Sequence, residues 1–594
     1  MRRILFVILI ANITLLSAMS KKADEQLIDD WEYNSTIEMI ETKGFNSRMV
    51  TMSAPMPKSY GMVKKKIGFA VGGAKDTNNF KANIENGYLP KLDSITYEGA
   101  FYSHYFDTGL GGKVCKELFC PSYSTALRKN KFSNEEEYFL SVGLNSGIDE
   151  KDFKRKKLNL VVVLDISGSM GSKFNKYYYD KAGIKVENSD DSSKKKMQIA
   201  NESIVAMLSH LKDDDRVGMV LFDNQAYKAK ALNLVGETDK LAIKNHILAL
   251  KEKGGTNWSA GYKKGLNLFD EVTLNDKEYE NRIVFLTDAM PNMGELGKDR
   301  LFGLAKQASI KGIHTTFIGV GVDFNNDLVE YVSKTKGANY FSVHSSKAFS
   351  KLLDKEFEYM VSPLVYDLEL KLSNSMYSIE GVYGSPDASL ATGTIMKINT
   401  LFPSHNDGSA TKGGVVLLKL KKYPQVAQSD TISLEVNYKD LEGKSHHNIQ
   451  RVSFQTKSID YYDNSGIRKA ILVSDYVTIM KNWLIDARAG CNDNVKWVMQ
   501  EPTAIMKRCM EYPKKRPLYP ITISQWEKKS CKLKVSSGYK KLFQVFRKIY
   551  VREQTELKDE SLNKELDIID TLLNQKNSRV EVINKSQDDW LYNK

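Results

Sequence analysis

Between Leu158 and Met360 the apolar positions alternate between two rhythms. Leu158–Leu164 is a largely unbroken apolar run that ends at an aspartate, the pattern of a strand buried on both faces. Val217–Phe222, Arg282–Thr287, Ile313–Ile318 and Asn339–Val343 are further strand candidates. Between them, Lys195–Leu211 sets Met197, Ala200, Ile204, Leu208 and Leu211 on one helical face. Asp239–Leu250, Ser259–Phe269, Asp299–Ser309, Asn326–Ser333 and Ala348–Met360 continue the helical series. Strand and helix in turn predict βα units: a doubly wound, mainly parallel sheet with helices on both faces, over residues 155–360.

On either side the rhythm changes. Residues 66–150 hold short β-like runs, with Ser94–Phe106 alternating aromatic and polar residues and Glu137–Val142 a second candidate strand. After Pro363 come Val365–Leu372, Ile395–Leu401, Gly414–Leu420, Thr431–Tyr438 and Asn448–Phe454, a β-sandwich-like pattern over 363–456. Residues 457–594 read as a helical C-terminal region, with helices over 465–490, 494–511 and 538–575, and residues 21–65 as a polar spacer. Strands both before and after the α/β block suggest that one β-module built from both flanks clasps it. Failure of 66–147 to touch 363–456 would remove that reading. No internal repeat stands out.

Composition changes this picture little. In 594 residues, 42% hydrophobic and 27% charged is ordinary for globular domains. The net charge of +13 raises nucleic acid as a partner, but lysines and acids interleave almost everywhere, so none is expected. The first twenty residues carry more information. Arg2 and Arg3 precede the apolar run Ile4–Leu16, and Ala18-Met19-Ser20 offers a small-x-small cleavage site. A signal peptide over 1–20 implies an exported chain: extracellular, cell-surface or periplasmic, with no transmembrane segment after maturation. Disulfides are then allowed. Among Cys115, Cys120, Cys491, Cys509 and Cys531, the expected bridges are Cys115–Cys120 and Cys491–Cys509.

The chemistry sits at Asp165-Ile166-Ser167-Gly168-Ser169-Met170-Gly171, at the C-terminal end of the first parallel strand. Ligands of open α/β sheets bind along that edge. Oxygens at alternate loop positions can turn toward one point, as a hard divalent cation requires. Gly254-Gly255-Thr256 and Leu286-Thr287-Asp288 bring further oxygens to the same rim. As a helix cap and a strand-end turn, these residues would have purely structural roles, but that does not explain three loops at once.

Asp165-x-Ser167-x-Ser169, with Thr256 and Asp288, resembles the metal-ion-dependent adhesion site of von Willebrand A domains. The likeness spans roughly 200 residues in order and spacing and is nearest to the extracellular branch that includes inter-alpha-trypsin-inhibitor heavy chains and secreted bacterial A-domain proteins. More loosely, it extends to the flanking β-regions and the helix near Gly466–Arg488. The resemblance implies that Ser167, Ser169 and Thr256 bind the ion through hydroxyls, and Asp165 and Asp288 directly or through water. It implies Mg²⁺, with Mn²⁺ or Ca²⁺ as alternatives, and one position left for an Asp or Glu carboxylate of a partner protein. Two departures stand out: Ala289 follows Asp288 where glycine is usual, and Ser172–Ser193 is inserted after the metal loop. Tyr177, Tyr178, Tyr179 and Asp180 in that insertion are candidate partner contacts, with Asp180 also able to cap the ion. His-Glu-x-x-His, Gly-x-Ser-x-Gly and Walker motifs do not occur, so a binding module is expected rather than an enzyme. The alternative is an exported structural protein in which the ion only stabilises the fold.

Overall fold

A computed structural model describes residues 27–34, 66–173, 194–288, 298–321, 335–344, 346–353, 356–372, 377–385, 395–408, 410–423, 431–454, 459–489, 491 and 530–575. The expected signal segment, the Tyr177–Asp180 insertion and the helices over 326–333 and 494–511 lie outside the described residues. The first flank runs β1 (Lys66–Val71), β2 (Gly73–Ala74), α1 (Asn78–Glu85), α2 (Tyr97–Tyr102), β3 (Tyr105–Phe106), β4 (Cys120–Lys129) and β5 (Glu136–Asp149). The α/β unit follows: β6 (Lys157–Asp165), α3 (Lys196–Leu208), β7 (Arg216–Phe222), β8 (Ala226–Leu234), α4 (Lys240–Leu248), α5 (Trp258–Asn267), β9 (Tyr279–Thr287), α6 (Lys298–Ile310), β10 (Ile313–Val320), β11 (Asn339–Val343), α7 (Ser346–Leu353) and α8 (Phe357–Val361). The second flank holds β12 (Val365–Leu372), β13 (Tyr377–Tyr383), β14 (Ile395–Ser404), β15 (Thr411–Lys412), β16 (Val415–Lys422), β17 (Thr431–Lys439), β18 (Ser445–Ser453) and β19 (Tyr461–Tyr462). It ends in α9 (Ser465–Ala489), α10 (Ser537–Leu557) and α11 (Asn563–Leu573).

β6 forms where it does because Leu158–Leu164 is buried throughout, each apolar side chain contributing roughly 1.5–3 kcal/mol on burial. Its sheet has the order β2-β11-β10-β9-β6-β7-β8. Every pairing is parallel except β7 with β8. β6 lies between β7 and β9, so the strand order reverses beside it and its C-terminal end opens onto a topological switch point.

Sequence periodicity missed β8. Lys228, Lys230 and Asn233 break its apolar alternation, as suits an edge strand with one side open. It also misread Ser94–Phe106, which is helical over Tyr97–Tyr102. The Thr96 hydroxyl caps the Gly99 N–H at 3.1 Å, and a Cβ on Gly99 would lie 2.4 Å from the Asp76 carbonyl. The aromatic alternation there buries Phe101 in α2 and Phe106 in the short strand β3, not in one continuous strand.

The second sheet has ten strands and draws on both flanks: β1 pairs with β14 and β5 with β16. Phe454, just beyond β18, comes back to within 5.9 Å of Tyr138 on β5. α9 packs against this sheet and carries buried Ile467, Ile471, Tyr476, Ile479 and Trp483. Cys115 is disulfide-bonded to Cys120. Cys491 bonds Cys531, correcting the expected Cys491–Cys509 pair: α10 brings the 531 segment back beside the end of α9, a long-range contact that spacing could not show. Cys509 lies outside the described residues.

Candidate metal centre

Asp165 ends β6, and its carboxylate turns back to accept the Ser167 N–H at 2.8 Å. A tight turn over Gly168–Gly171 follows, anchored by fully buried Met170. Two backbone hydrogen bonds tie this loop to the one before α5: Lys253 N–H to the Ile166 carbonyl at 2.6 Å and Gly168 N–H to the Gly254 carbonyl at 3.0 Å. Gly254 has φ +69°, and a Cβ there would lie 3.0 Å from the Asp223 carboxylate, so glycine alone fits without strain. Two residues on, Thr256 is 2% exposed, and the Asn257 N–H is fixed to the Asp223 carbonyl at 2.7 Å.

Asp288 follows β9 and completes a chain of oxygens. The Ser169 hydroxyl donates to Asp288 Oδ1 at 3.0 Å, and the Ser167 and Ser169 hydroxyls are 3.0 Å apart. Thr287 Oγ1 donates to Asp165 Oδ2 at 2.6 Å. The geometry therefore joins Asp165, Ser167, Ser169 and Asp288 in one buried cluster, with the Thr256 loop bound to it through backbone. Tyr177, Tyr178, Tyr179, Asp180 and Ala289 lie outside the described residues.

The electrostatics are unbalanced. Burial first, and the like charge of Asp288 second, push the Asp165 carboxyl up to about 7. Lys196 Nζ stands 3.2 Å from Asp288 Oδ2, and neither side chain is exposed. His344, just past β11, is held down at about 3 by burial and by Lys196, so it is neutral. Sequence reasoning missed Lys196, which lies in the first turn of the expected helix Lys195–Leu211 but not among the residues assigned to its apolar face. A signal was present: Lys196 shares a helical face with Ala200, Ser203 and Met207.

The donor set suits a hard divalent ion. Ligands at about 2.0–2.1 Å on adjacent octahedral vertices lie about 2.9 Å apart, close to the 3.0 Å steps between Ser167, Ser169 and Asp288. Among the described residues Lys196 places its ammonium beside these two buried carboxylates, whose mutual repulsion an added cation would relieve. Among the described residues no group of three or more His, Cys, Asp or Glu could hold a metal, so the hydroxyls are essential to such a site.

Residues 184–355 match the model of the von Willebrand factor type A domain. That span begins after the Asp165–Ser169 loop and includes the Thr256 and Asp288 loops. An uncharacterized Synechocystis protein is 25% identical over 198 residues, covering 33% of this chain and 39% of that protein. Inter-alpha-trypsin inhibitor heavy chain H2 of Mus musculus is 22% identical over 216 residues, covering 36% of this chain and 20% of that one. The chain thus spans well under two thirds of either relative. A solved von Willebrand factor type A structure from Catenulispora acidiphila aligns with TM-score 0.41 and 14% identity, covering 65% of this chain and 84% of that one. Residues 184–355 are thus similar to a von Willebrand factor type A domain, a module that commonly mediates protein–protein interaction and adhesion.

Proposed function

We propose that the protein is a metal-ion-dependent binding module of the exported space. Ser167, Ser169 and Thr256 hold a divalent cation through their hydroxyls, and Asp165 and Asp288 do so directly or through water. When bound, the ion supplies a Lewis-acidic position for an Asp or Glu carboxylate of a partner protein. One observation carries the reading: oxygens from two separated loops stand 3.0 Å apart beside two buried like charges. Mg²⁺ is the proposed ion, with Mn²⁺ or Ca²⁺ as alternatives that oxygen ligands also suit. Few direct carboxylates leave the ion under-neutralised toward an outside anion.

No enzymatic role is proposed. His344 is too weak a base, at about 3, for proton transfer near neutral pH. Among the described residues no helix is long and apolar enough to cross a membrane. The test is capture of partners from native medium on the full chain, with Mg²⁺ or with chelator. Binding that needs Mg²⁺ and disappears in Asp165→Ala is expected. Undiminished capture in excess chelator would overturn the reading. Mg²⁺ stabilisation without any effect on binding would favour a purely structural ion.

A further inference from the structure

Residues Leu27–Asn34, expected as spacer, lie along the open side of edge strand β8. Ile28 N–H donates to the Glu237 carbonyl at 2.8 Å, Asp239 N–H to the Ile28 carbonyl at 2.9 Å, and Glu32 N–H to the Ala229 carbonyl at 2.8 Å. Side chains then fix the register. Asp29 Oδ2 is 2.9 Å from His246 Nε2, and the Trp31 indole stacks on that imidazole with centroids 5.2 Å apart. Asp30 Oδ2 accepts from Lys230 Nζ at 2.8 Å and Asn233 Nδ2 at 2.7 Å. Tyr33 meets Tyr227 edge-on at 5.3 Å. Lys230 is 1% exposed, and among the described residues Asp30 is its ion-pair partner; the other acceptors of its ammonium are the Val217 and Ala231 carbonyls. The groove is built to receive a carboxylate followed by an aromatic residue.

The arm's hexapeptide, Asp29-Asp30-Trp31-Glu32-Tyr33-Asn34, recurs as Asp588-Asp589-Trp590-Leu591-Tyr592-Asn593, in residues whose structure is not described. This short repeat is easy to overlook until the arm's contacts give each position a role. With 6 Trp and 30 Tyr in 594 residues, chance is a poor account of five identities in register. The identical residues include Asp29, Asp30, Trp31 and Tyr33, which make the side-chain contacts with His246, Lys230, Asn233 and Tyr227. The one difference falls on Glu32, whose pair with Lys228 is solvent-exposed and contributes little.

We propose that the β8 edge is a docking groove for an Asp-Asp-Trp-x-Tyr-Asn peptide, and that its second occupant is residues 588–593 of another copy of this chain. Reach decides the source. α11 packs on α1 through Lys81–Glu565, and α1 packs on β11, at the other side of the sheet. From β11 to β8 is five strand spacings, about 24 Å, and two helix layers add roughly 10 Å each. The direct line runs through the core, so a connecting chain must follow both legs round the surface, and together they use the ~45 Å that the 13 residues from Gln575 to Asp588 can span. Clearing the side chains on the way takes more, whereas a neighbouring molecule has no such limit. The tethered arm, at an effective concentration of about millimolar, keeps the edge plugged and blocks edge-to-edge pairing. Releasing it opens the groove to the neighbour's segment.

The test uses the full chain with Trp31→Ala, a change in a surface arm, and a labelled peptide of residues 586–594. The peptide should bind the variant on the order of a hundredfold tighter than the unaltered chain, and a peptide with Trp590→Ala should not bind. The variant should associate with rising concentration in sedimentation, and the double variant Trp31→Ala/Trp590→Ala should stay monomeric. Failure of the peptide to bind overturns the groove assignment. A Trp31→Ala chain that remains monomeric, with Trp590 shielded from quencher, overturns the second copy as source.

Discussion

Asp215 and Asp165 are both fully buried, at opposite ends of neighbouring strands, and their surroundings differ in kind. Asp215, at the N-terminal end of β7, accepts two hydrogen bonds from the Arg155 guanidinium at 2.8 and 2.6 Å, and the Leu158 and Lys212 N–H groups at 2.8 and 2.7 Å. One carboxylate there meets one fixed cation and four donors. At the C-terminal end, Asp165 and Asp288 face serine and threonine hydroxyls and one ammonium. The first end is closed on itself and acts as scaffold. Among the described residues the second sets two like charges together with hydroxyl groups and the Lys196 ammonium, an arrangement suited to receiving a cation.

Breaking the closed end should give the largest effect. Arg155→Met leaves the Asp215 carboxylate buried without its counter-charge, a change that costs about 3–5 kcal/mol. Urea melts should show that loss, while any gain from Mg²⁺ stays the same size. If the Mg²⁺ gain vanished too, the two ends would be one coupled network and the contrast would fail.

At the open end, Mg²⁺ at a hundred times its Kd should stabilise the chain by about 2.7 kcal/mol by mass action. Ser167→Ala/Ser169→Ala should abolish that gain in calorimetry. The pH dependence has a defined sign. The folded Asp165 carboxyl titrates at about 7, above its ordinary 3.8, so folding favours its protonated form. Its contribution is fully present below about 4 and is lost as pH rises through about 7. Metal-free protein should therefore melt lower at pH 8 than at pH 5. The Mg²⁺ gain should grow over the same window, because the ion needs the deprotonated carboxylates. A Mg²⁺ gain that shrinks with rising pH would remove Asp165 from the site.

Much of the open end was legible in sequence because its parts are local: a buried strand, a loop of alternating oxygens, and two further strand and helix ends that the fold brings to one rim. What escaped depends on partners far along the chain. Lys196 differs from Lys194 and Lys195 only in the helical face it shares with Ala200, Ser203 and Met207, and its carboxylate partner lies about ninety residues on. β8 was hidden because an edge strand need not alternate cleanly, and its lysines answer to an arm some two hundred residues away. The Cys491 partner depends on how α10 returns to α9, which spacing does not encode.

Lys196 sharpens the contrast further, because its ammonium is paired with one of the site's own carboxylates. Its ammonium lies 3.2 Å from Asp288 Oδ2 in a fully buried setting, so it partly fills the role a metal would take and repels one that arrives. Lys196→Met keeps the helix and the apolar stem while removing that charge. Mg²⁺ affinity should rise about tenfold, roughly 1.4 kcal/mol, as read by titration calorimetry, and the metal-free chain should melt lower because two carboxylates then face each other unrelieved. Weaker Mg²⁺ binding in the variant would reverse the assignment. Lys196 would then orient Asp288 for the ion rather than compete with it, and the open end would be more pre-organised than its charge imbalance implies.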